Sequence, residues 1–280
     1  MMAPVRKWLL RGVAAGAVLL VPPACAQTTA EELDTPFVVT PGNVVTSMLD
    51  LAGVRPGDRL IDLGSGDGRI VIEAVRRGAT AVGIEIDGTL VEKSRHAARR
   101  LKIDDRATFL TQDLFDTQFG GYDVITLYLL PDVNKRLAPR FLALTPGTRI
   151  VSHDYGLGEW PPDRTIVVDA PDKTVNVEKV SRVMFWRVPA RVAGPWTGVA
   201  AGEPVALDLR QRYQYVSGTL RWSGREFAIA EQKVDGTRLA IRAGGADGAA
   251  IDLDLQADGD VLAGRLVAQG RAAIALTVRR

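Results

Sequence analysis

Apolar and polar positions between residues 40 and 188 follow two patterns that alternate along the chain. Apolar residues spaced three and four apart lie on one face of a helix, whereas continuous apolar runs are typical of strands buried on both faces. The first pattern predicts helices over 41–52, 69–77, 89–102 and 131–143. The second predicts strands over 59–63, 81–86, 107–111, 122–128 and 149–153. Strands that alternate with helices indicate a doubly wound, mostly parallel sheet.

The two ends of this region carry more specific signals. Thr40-Pro41 is a typical helix start, with a capping hydroxyl followed by Pro at the first helical position, and Gly53 ends that helix. Two more strands are predicted over 165–169 and 180–188. Because only Pro171-Asp172-Lys173 and a few further residues separate them, they suit an antiparallel hairpin better than a helical crossover.

Beyond a connector at 189–195 the pattern changes to alternation of apolar and polar residues, without a helical period. The alternating segments are 205–209, 213–215, 220–222, 227–229, 239–241, 251–255 and 274–278. Asp-Gly pairs, which are strong hairpin signals, occur at 235–236, 247–248 and 258–259. Residues 196–280 are therefore expected to form a small antiparallel β-barrel or sandwich of about seven strands, following a first domain at 27–188.

Composition narrows the function classes. The 280-residue chain has Lys+Arg 35, Asp+Glu 33 and 46% hydrophobic residues, which is the profile of a folded globular protein. A net charge of +2 lacks the concentrated basic excess of a nucleic-acid binder, so no nucleic-acid partner is expected. With Cys25 as the one cysteine and His96 and His153 as the two histidines, neither an intrachain disulfide nor a Cys/His metal site is expected.

Residues 1–26 have the features of a secretory signal peptide. Basic residues at the start precede the apolar run 13–21, and Ala24-Cys25-Ala26 is an A-x-A cleavage signal. The apolar run is far shorter than the roughly 20 residues needed to cross a bilayer. We therefore expect an exported, periplasmic protein with no membrane span after cleavage. A lipoprotein acylated at Cys25 is the alternative, although Pro22-Pro23-Ala24 is a poor approach to such a site.

The strand–helix turn at residues 60–69, LIDLGSGDGR, carries the main chemical signal. Glycines at this place permit a tight turn and let a ligand lie against the main chain at a helix N-terminus. The dinucleotide-binding pattern needs glycine where Arg69 stands, which disfavours a nicotinamide oxidoreductase. Asp62 ends the strand, where its carboxylate can face a ligand's ammonium group.

With this turn, most of residues 36–188 resemble the class I S-adenosylmethionine-dependent methyltransferases. The resemblance implies a Rossmann-like sheet of seven strands, one of them antiparallel, with S-adenosylmethionine as cofactor. By position in the family motifs, the expected cofactor contacts are Asp62, Gly64, Ser65, Gly66, Gly68, Glu85, Ile86, Asp113 and Leu114. The resemblance implies that Asp62 and the glycine turn hold the methionine moiety. It also implies that Glu85 accepts the ribose hydroxyls and that Asp113 binds the adenine amino group.

Simpler interpretations of these acids also remain. Glu85 can be a solvated loop acid, and Asp113 can cap the turn into Leu114-Phe115. Asp67 and Asp87 can be helix N-caps rather than ligand contacts.

A narrower resemblance concerns the methyl acceptor. Residues 40–45, TPGNVV, the run DLGSGDGRIVI from Asp62 and the segment Asp113-Leu114-Phe115 look like the ATP synthase c-subunit lysine methyltransferase family and its bacterial relatives. The resemblance implies in-line methyl transfer to a neutral amine, on a protein lysine or a small molecule. Because an exposed lysine has a pKa of about 10.4, such a site must favour the deprotonated amine.

Two residues at strand ends are candidates for catalysis. Tyr128 ends the fourth predicted strand, where it can orient the incoming nitrogen or be a core tyrosine at the sheet edge. His153, in the segment His153-Asp154-Tyr155 that ends the fifth predicted strand, can be a base relay or a structural hydrogen-bonding residue. The expected function is thus an S-adenosylmethionine-dependent methyltransferase. The alternative is an exported binding module whose β domain recognises an envelope partner. S-Adenosylmethionine is a cytosolic metabolite, so the predicted export of the protein conflicts with the predicted cofactor.

Overall fold

The computed structural model describes residues 37–175 and 178–280, all within one compact unit that spans Asp34–Arg280. The expected signal peptide at 1–26, with Cys25, lies outside the described residues.

The first part of the described chain is a seven-stranded sheet with helices on both faces. Its elements are α1 (Gly42–Leu51), β1 (Arg59–Leu63), α2 (Arg69–Arg76), β2 (Thr80–Glu85), α3 (Gly88–Leu101), β3 (Ala107–Thr111), β4 (Val124–Leu127), α4 (Pro131–Phe141), β5 (Arg149–His153), β6 (Arg164–Asp169) and β7 (Val180–Arg187). The strand order is β3-β2-β1-β4-β5-β7-β6, with β7 antiparallel to both of its neighbours. The predicted doubly wound sheet and its antiparallel hairpin are confirmed.

Burial explains why these segments form these elements. The central strands are apolar on both faces because helices cover both, and every residue of β4 is buried. In α2 the residues Ile70, Val71, Ala74 and Val75 form one buried stripe, each contributing roughly 1.5–3 kcal/mol, less for Ala74, by removal from water. The order of the strands reverses between β1 and β4, which places the crevice for a ligand at the carboxyl ends of these two strands.

The second part is a closed barrel of eight antiparallel strands rather than about seven. Its strands are β8 (Gly194–Ala200), β9 (Glu203–Arg212), β10 (Tyr215–Trp222), β11 (Arg225–Asp235), β12 (Arg238–Gly244), β13 (Ala250–Asp258), β14 (Val261–Ala268) and β15 (Ile274–Arg279). β8 and β14 were not predicted, because glycines and Pro195 interrupt their alternation, and β8 begins inside the expected connector. The predicted segments 213–215 and 220–222 do not form two strands: residues 213–214 are the turn before β10, and Tyr215 and 220–222 lie on β10 itself. All three Asp-Gly pairs lie at connections between consecutive strands, as predicted.

The barrel interior is a packed apolar core that includes Trp196, Leu220 and Leu255. The barrel contacts the sheet through the turn between β9 and β10. The buried amide of Gln214 accepts a hydrogen bond from Trp160 Nε1 (2.9 Å) and donates one to the Pro161 carbonyl (2.8 Å). The Tyr213 ring stacks on Trp160 with 6.4 Å between ring centroids. The barrel therefore holds the segment between β5 and β6.

None of the helices in the described residues combines the length and apolar character that a membrane crossing requires. Within 37–175 and 178–280, His, Cys, Asp and Glu side chains form no group of three or more arranged to hold a metal ion.

Candidate active site

The glycine turn lies at the carboxyl end of β1 and is fixed to the neighbouring strand. The amides of Gly64 and Ser65 both donate to the Ile84 carbonyl of β2, each at 2.9 Å. Gly64, Gly66 and Gly68 have φ of 72°, 52° and 78°, the left-handed region that other residues rarely adopt. The sequence of the turn is therefore dictated by its backbone conformation.

Gly66 has a second constraint, since a Cβ atom there would lie 2.3 Å from Cε2 of Phe37. The Phe37 ring, itself 45% exposed, thus covers one side of the turn. The Ser65 hydroxyl is buried against Gly83 and has no hydrogen-bond partner among the described residues. Ser65 therefore faces β2, and its main chain belongs to the turn.

Asp62 is a buried carboxyl group, only 2% exposed. Burial raises its pKa to about 7, the Thr126 hydroxyl opposes that shift by donating a 2.7 Å hydrogen bond, and the charges of Glu85 and Asp67 raise the pKa further. A cation bound beside this group would relieve the cost of its ionisation. The Asp62 environment consequently fits a ligand with an ammonium group.

Glu85 connects the end of β2 to the glycine turn. Its Oε2 accepts from the Gly66 amide (2.9 Å), and its Oε1 accepts from the amides of Ile86 (2.8 Å) and Asp87 (3.1 Å). The interpretation of Glu85 as a free loop acid is therefore wrong. Ile86, half exposed, stands directly after Glu85 at the same strand end.

Asp113, which follows β3, caps a short 3-10 helix, Leu114–Asp116, by accepting from the Phe115 amide at 2.7 Å. The capping interpretation thus holds for one of its oxygens, and Leu114 beside it is half-buried. Asp87 is the N-cap of α3, as expected, because its Oδ1 accepts from the Thr89 amide at 2.7 Å.

Asp67 is not a helix cap. Both of its oxygens accept from the Arg69 guanidinium, at 2.8 and 2.6 Å, and Gly68 occupies the cap position of α2. This pairing holds the pKa of Asp67 below its usual value, since the hydrogen bonds and charge of Arg69 outweigh the burial that would raise it. Sequence spacing does not distinguish a cap from a partner two residues away.

The parallel register brings the three acids expected to bind cofactor to one edge of the sheet. Asp62, the residue before the last of β1, pairs with Gly83 of β2, and Glu85, the last residue of β2, pairs with Thr111 of β3, two residues before Asp113. S-Adenosylmethionine carries a sulfonium and an ammonium group, so a cleft with several carboxylates and a left-handed glycine turn suits it. The residues present fit this cofactor.

The other side of the crevice is aromatic and polar. The rings of Tyr128 and His153 lie 3.9 Å apart between centroids, and Tyr155 stacks on Tyr128 at 6.3 Å. Tyr128 is half-buried, and burial together with the neighbouring Asp154 carboxylate raises its pKa above the usual value. Tyr128 is therefore a neutral phenol with a partly accessible face.

His153 is fully buried, and both ring nitrogens have internal partners. Nδ1 lies 3.3 Å from Thr40 Oγ1, and Nε2 lies 2.8 Å from Ser181 Oγ. Burial lowers the pKa of His153 below its ordinary value. This geometry disfavours the base relay and supports a structural role beneath Tyr128. His96, by contrast, is exposed on α3.

The expected capping role of Thr40 is wrong, because its hydroxyl group pairs with His153 instead. Pro41 occupies the N-cap position of α1 without a side-chain hydrogen bond, because the Thr40 hydroxyl is directed to His153. Two neighbours, Ser181 beside His153 and Lys173 beside Asp154, were not predictable from the sequence. They come from β7 and from the segment before it, and no local motif marks them.

The fold, the glycine turn and the acids at the ends of β1, β2 and β3 define a class I S-adenosylmethionine-dependent methyltransferase. The family model described as the ANTKMT methyltransferase domain matches residues 62–164. A protein-lysine N-methyltransferase of Saccharolobus islandicus is 36% identical over 137 residues, which are 48% of this chain and 85% of that protein. The chain belongs to this family of protein-lysine N-methyltransferases.

Two further relatives extend the comparison. The ATP synthase c-subunit lysine N-methyltransferase of Mus musculus is 33% identical over 162 residues, 56% of this chain and 65% of that protein. A solved structure described as an RNA methyltransferase from Salinibacter ruber, in complex with S-adenosyl-L-homocysteine, is 45% identical, with a TM-score of 0.51, and covers 55% of this chain and 96% of its own. The family-model match ends at residue 164, before the barrel begins.

Proposed function

We propose that this chain transfers the methyl group of S-adenosylmethionine to the ε-amine of a protein lysine. The observation that carries the proposal is the identity of 36% that extends over 85% of the Saccharolobus islandicus protein-lysine N-methyltransferase. The residues Tyr128-Leu129-Leu130-Pro131 at the end of β4 also differ from the Asn/Asp-Pro-Pro-aromatic motif of amino methyltransferases that act on bases and some amides, which disfavours those substrate classes.

The roles of the residues follow from their placement. S-Adenosylmethionine, when bound, supplies an electrophilic methyl group on a positively charged sulfur. Asp62 and the turn at Gly64–Gly68 would hold its amino-acid end, and Glu85 its ribose. Tyr128 offers a neutral oxygen and an aromatic face to the acceptor amine. This amine must be deprotonated, because only the neutral form has a lone pair for attack. In the transfer the N–C bond forms as the S–C bond breaks, and holding the three atoms in line accounts for much of the rate.

A labelling experiment tests this proposal. The purified chain is incubated with methyl-labelled S-adenosylmethionine and, in separate reactions, with poly-L-lysine, with a protein extract and with RNA from the same cells. Acid hydrolysis of the labelled product then identifies the modified residue. We expect methyl-lysine from the first two reactions. Label in RNA, in another amino acid or in no acceptor would refute the proposal.

We also propose that the protein is exported, on the strength of the signal-like residues 1–26. A tagged chain expressed in a Gram-negative host is expected in the periplasmic fraction. Its intact mass should equal that of a chain whose first residue is Gln27. A full-length chain in the cytosolic fraction would contradict export and would place the enzyme with its cofactor supply.

A further inference from the structure

Asp154 is held in a conformation that costs free energy. It directly follows β5 and has φ of 60°, which non-glycine residues rarely adopt and which is concentrated at functional sites. Its amide donates to the Arg182 carbonyl (2.7 Å), and its Oδ1 accepts from the Arg182 amide (3.0 Å). Two hydrogen bonds to one residue of β7 thus fix both the backbone and the carboxylate.

The carboxylate of Asp154 is paired with a buried lysine. Lys173 Nζ lies 2.7 Å from Asp154 Oδ2 and donates to the Val180 carbonyl at 2.7 Å, and the Lys173 side chain is 4% exposed. Burying an ion pair costs solvation that its mutual attraction barely repays, so such a pair adds little to stability by itself. The residues on either side of Asp154, His153 and Tyr155, pack on Tyr128, so the ion pair lies where it can affect the acceptor side of the site.

The titratable groups around Asp154 come from three sides. From the end of β4 comes Tyr128, whose ring lies 3.9 Å from that of His153 between centroids. From the end of β5 come His153, whose Nε2 lies 3.5 Å from Oδ2, and Tyr155, which stacks on Tyr128. From the segment before β7 comes Lys173. Burial lowers the pKa of His153 and raises the pKa of Tyr128, so both are neutral near pH 7, and the formal charges among these described groups are those of the Asp154–Lys173 ion pair. Their sum is zero.

We propose that Asp154 and Lys173 are positioning residues for methyl transfer: Asp154, anchored to β7, holds the His153 and Tyr155 rings against Tyr128, and Lys173 cancels the negative charge that would hold the acceptor amine as an ammonium ion. This inference rests on the proposed function. A lone carboxylate at this point would favour the protonated, unreactive lysine, whereas the balanced pair does not.

Opposite charge changes give opposite shifts of the pH profile. Lys173→Met leaves the carboxylate unbalanced, so the acid limb of kcat for poly-L-lysine should move to higher pH by about one unit. Asp154→Asn keeps an oxygen near Tyr128 and leaves the positive charge, so the limb should move to lower pH. The double variant restores a net charge of zero and should return the limb to the wild-type position. Lys173→Arg keeps the charge and should leave it unmoved.

Lys233→Met is the matched control. Lys233 Nζ also lies 2.7 Å from an aspartate, Asp163, whose side chain is as buried as that of Asp154. Asp163 accepts from the Arg187 amide, at the opposite end of β7 from Arg182. Loss of this pair should leave the pH profile unchanged.

A second readout needs no activity. The ring signals of carbon-13-labelled tyrosine, with Tyr128 assigned through Tyr128→Phe, should shift at Tyr128 in Asp154→Asn and Lys173→Met but not in Lys233→Met. Calorimetric binding of S-adenosylmethionine identifies folded variants, and the Asp154→Asn and double variants decide the outcome if Lys173→Met does not fold.

Each outcome is informative. Opposed shifts of the acid limb with an unmoved control support the inference. Methylation of lysine by the wild-type chain with shifts that are absent, or that have the same direction in both variants, overturns the inference alone. No methyl-lysine in poly-L-lysine or in the protein extract overturns the proposed function and the inference together.

Discussion

Asp62 is the residue at which fold and function impose opposite demands. The fold buries its carboxyl group, and burial raises its pKa to about 7, so ionisation of the free protein costs stability. The folded pKa lies above the ordinary value of 3.8, so the contribution of Asp62 to stability is fully present below pH 3.8 and is lost as the pH rises through about 7. A bound ammonium group would compensate for this loss.

The first prediction concerns stability without cofactor. Asp62→Asn removes the ionisable group but keeps an oxygen that can accept from the Thr126 hydroxyl. The change in the free energy of unfolding caused by this substitution should therefore be about 2 kcal/mol more favourable at pH 8 than at pH 5. Urea unfolding at the two pH values measures this difference. Asp105→Asn, at a carboxylate that is 75% exposed, is the control and should show no such pH dependence. Equal effects of Asp62→Asn at both pH values would show that Asp62 titrates normally.

The second prediction concerns cofactor binding. Because the ionised form of Asp62 pairs with the ligand's ammonium group, binding should release a proton near pH 7, and affinity should increase between pH 6 and pH 8. Calorimetry in two buffers of different ionisation enthalpy measures the released proton. In Asp62→Asn the release should disappear and the affinity should fall at least tenfold. Proton uptake by the wild-type chain would contradict this assignment.

Individual residues show where sequence-based prediction works. Gly64, Gly66 and Gly68 were predictable because their turn needs left-handed backbone, and Asp87 because its cap is local. The partner of Thr40 was not predictable, since His153 lies 113 positions away in sequence. The local sequence pattern predicted that Thr40 caps a helix, whereas its hydroxyl group forms a long-range contact with His153.

At the scale of elements, the segment between β5 and β6 connects the two parts of the molecule. At one end Tyr155 stacks on Tyr128, and its carbonyl accepts from Asn134 Nδ2 at 3.1 Å. Further along, Trp160 and Pro161 are bound by Gln214 of the barrel. The barrel thus helps to fix a segment that borders the acceptor side of the crevice.

The third prediction tests this contact. Gln214→Ala leaves two buried groups, Trp160 Nε1 and the Pro161 carbonyl, without partners, and should reduce the free energy of unfolding by about 2–3 kcal/mol. Amide hydrogen exchange should increase across 155–163. Gln232 is the matched control because both ends of its side-chain amide also form hydrogen bonds, here with the main chain of Arg242, but in an exposed place. Gln232→Ala should change stability by at most about 0.5 kcal/mol. Equal effects of both variants would contradict the role given to Gln214.

Strands were easier to predict in the sheet than in the barrel. β3 and β5 have their predicted limits, because buried strands between helices are bounded by clear changes of pattern. β8 contains Gly198 and β14 contains Gly264. These glycines interrupt the alternation of apolar and polar residues from which strands with one solvent-exposed face are predicted. Closure of the barrel follows from pairing of β8 with β15, which no local signal reveals.

At the scale of the whole molecule, the barrel has an apolar core of its own, separate from the two cores on the faces of the sheet. The interface between the two parts relies on Trp160, Tyr213 and Gln214, with an Arg187–Asp235 ion pair at its edge. The residues that the family model matches, 62–164, all lie in the sheet part of the molecule.

The fourth prediction follows from these separate cores. A fragment of residues 189–280 should fold by itself, with a cooperative thermal transition and a β-type circular dichroism spectrum. A fragment ending at 188 should fold but melt at a lower temperature than the full chain, because Trp160 loses its partners. A barrel fragment without a cooperative transition would show that the barrel depends on the sheet.

The measurement that tests the central claim most directly is a calorimetric titration of S-adenosylmethionine into the wild-type chain and two alanine variants. Gly66→Ala places a Cβ against Phe37 and disturbs the amide that binds Glu85, whereas Gly53→Ala introduces a similar backbone strain, at φ of 60°, with no atom within 4 Å of the new Cβ. We predict micromolar binding by the wild-type chain and Gly53→Ala, and at least a tenfold loss in Gly66→Ala. Absence of binding by the wild-type chain, or equal affinity in all three, would contradict the assignment of this turn as the cofactor site.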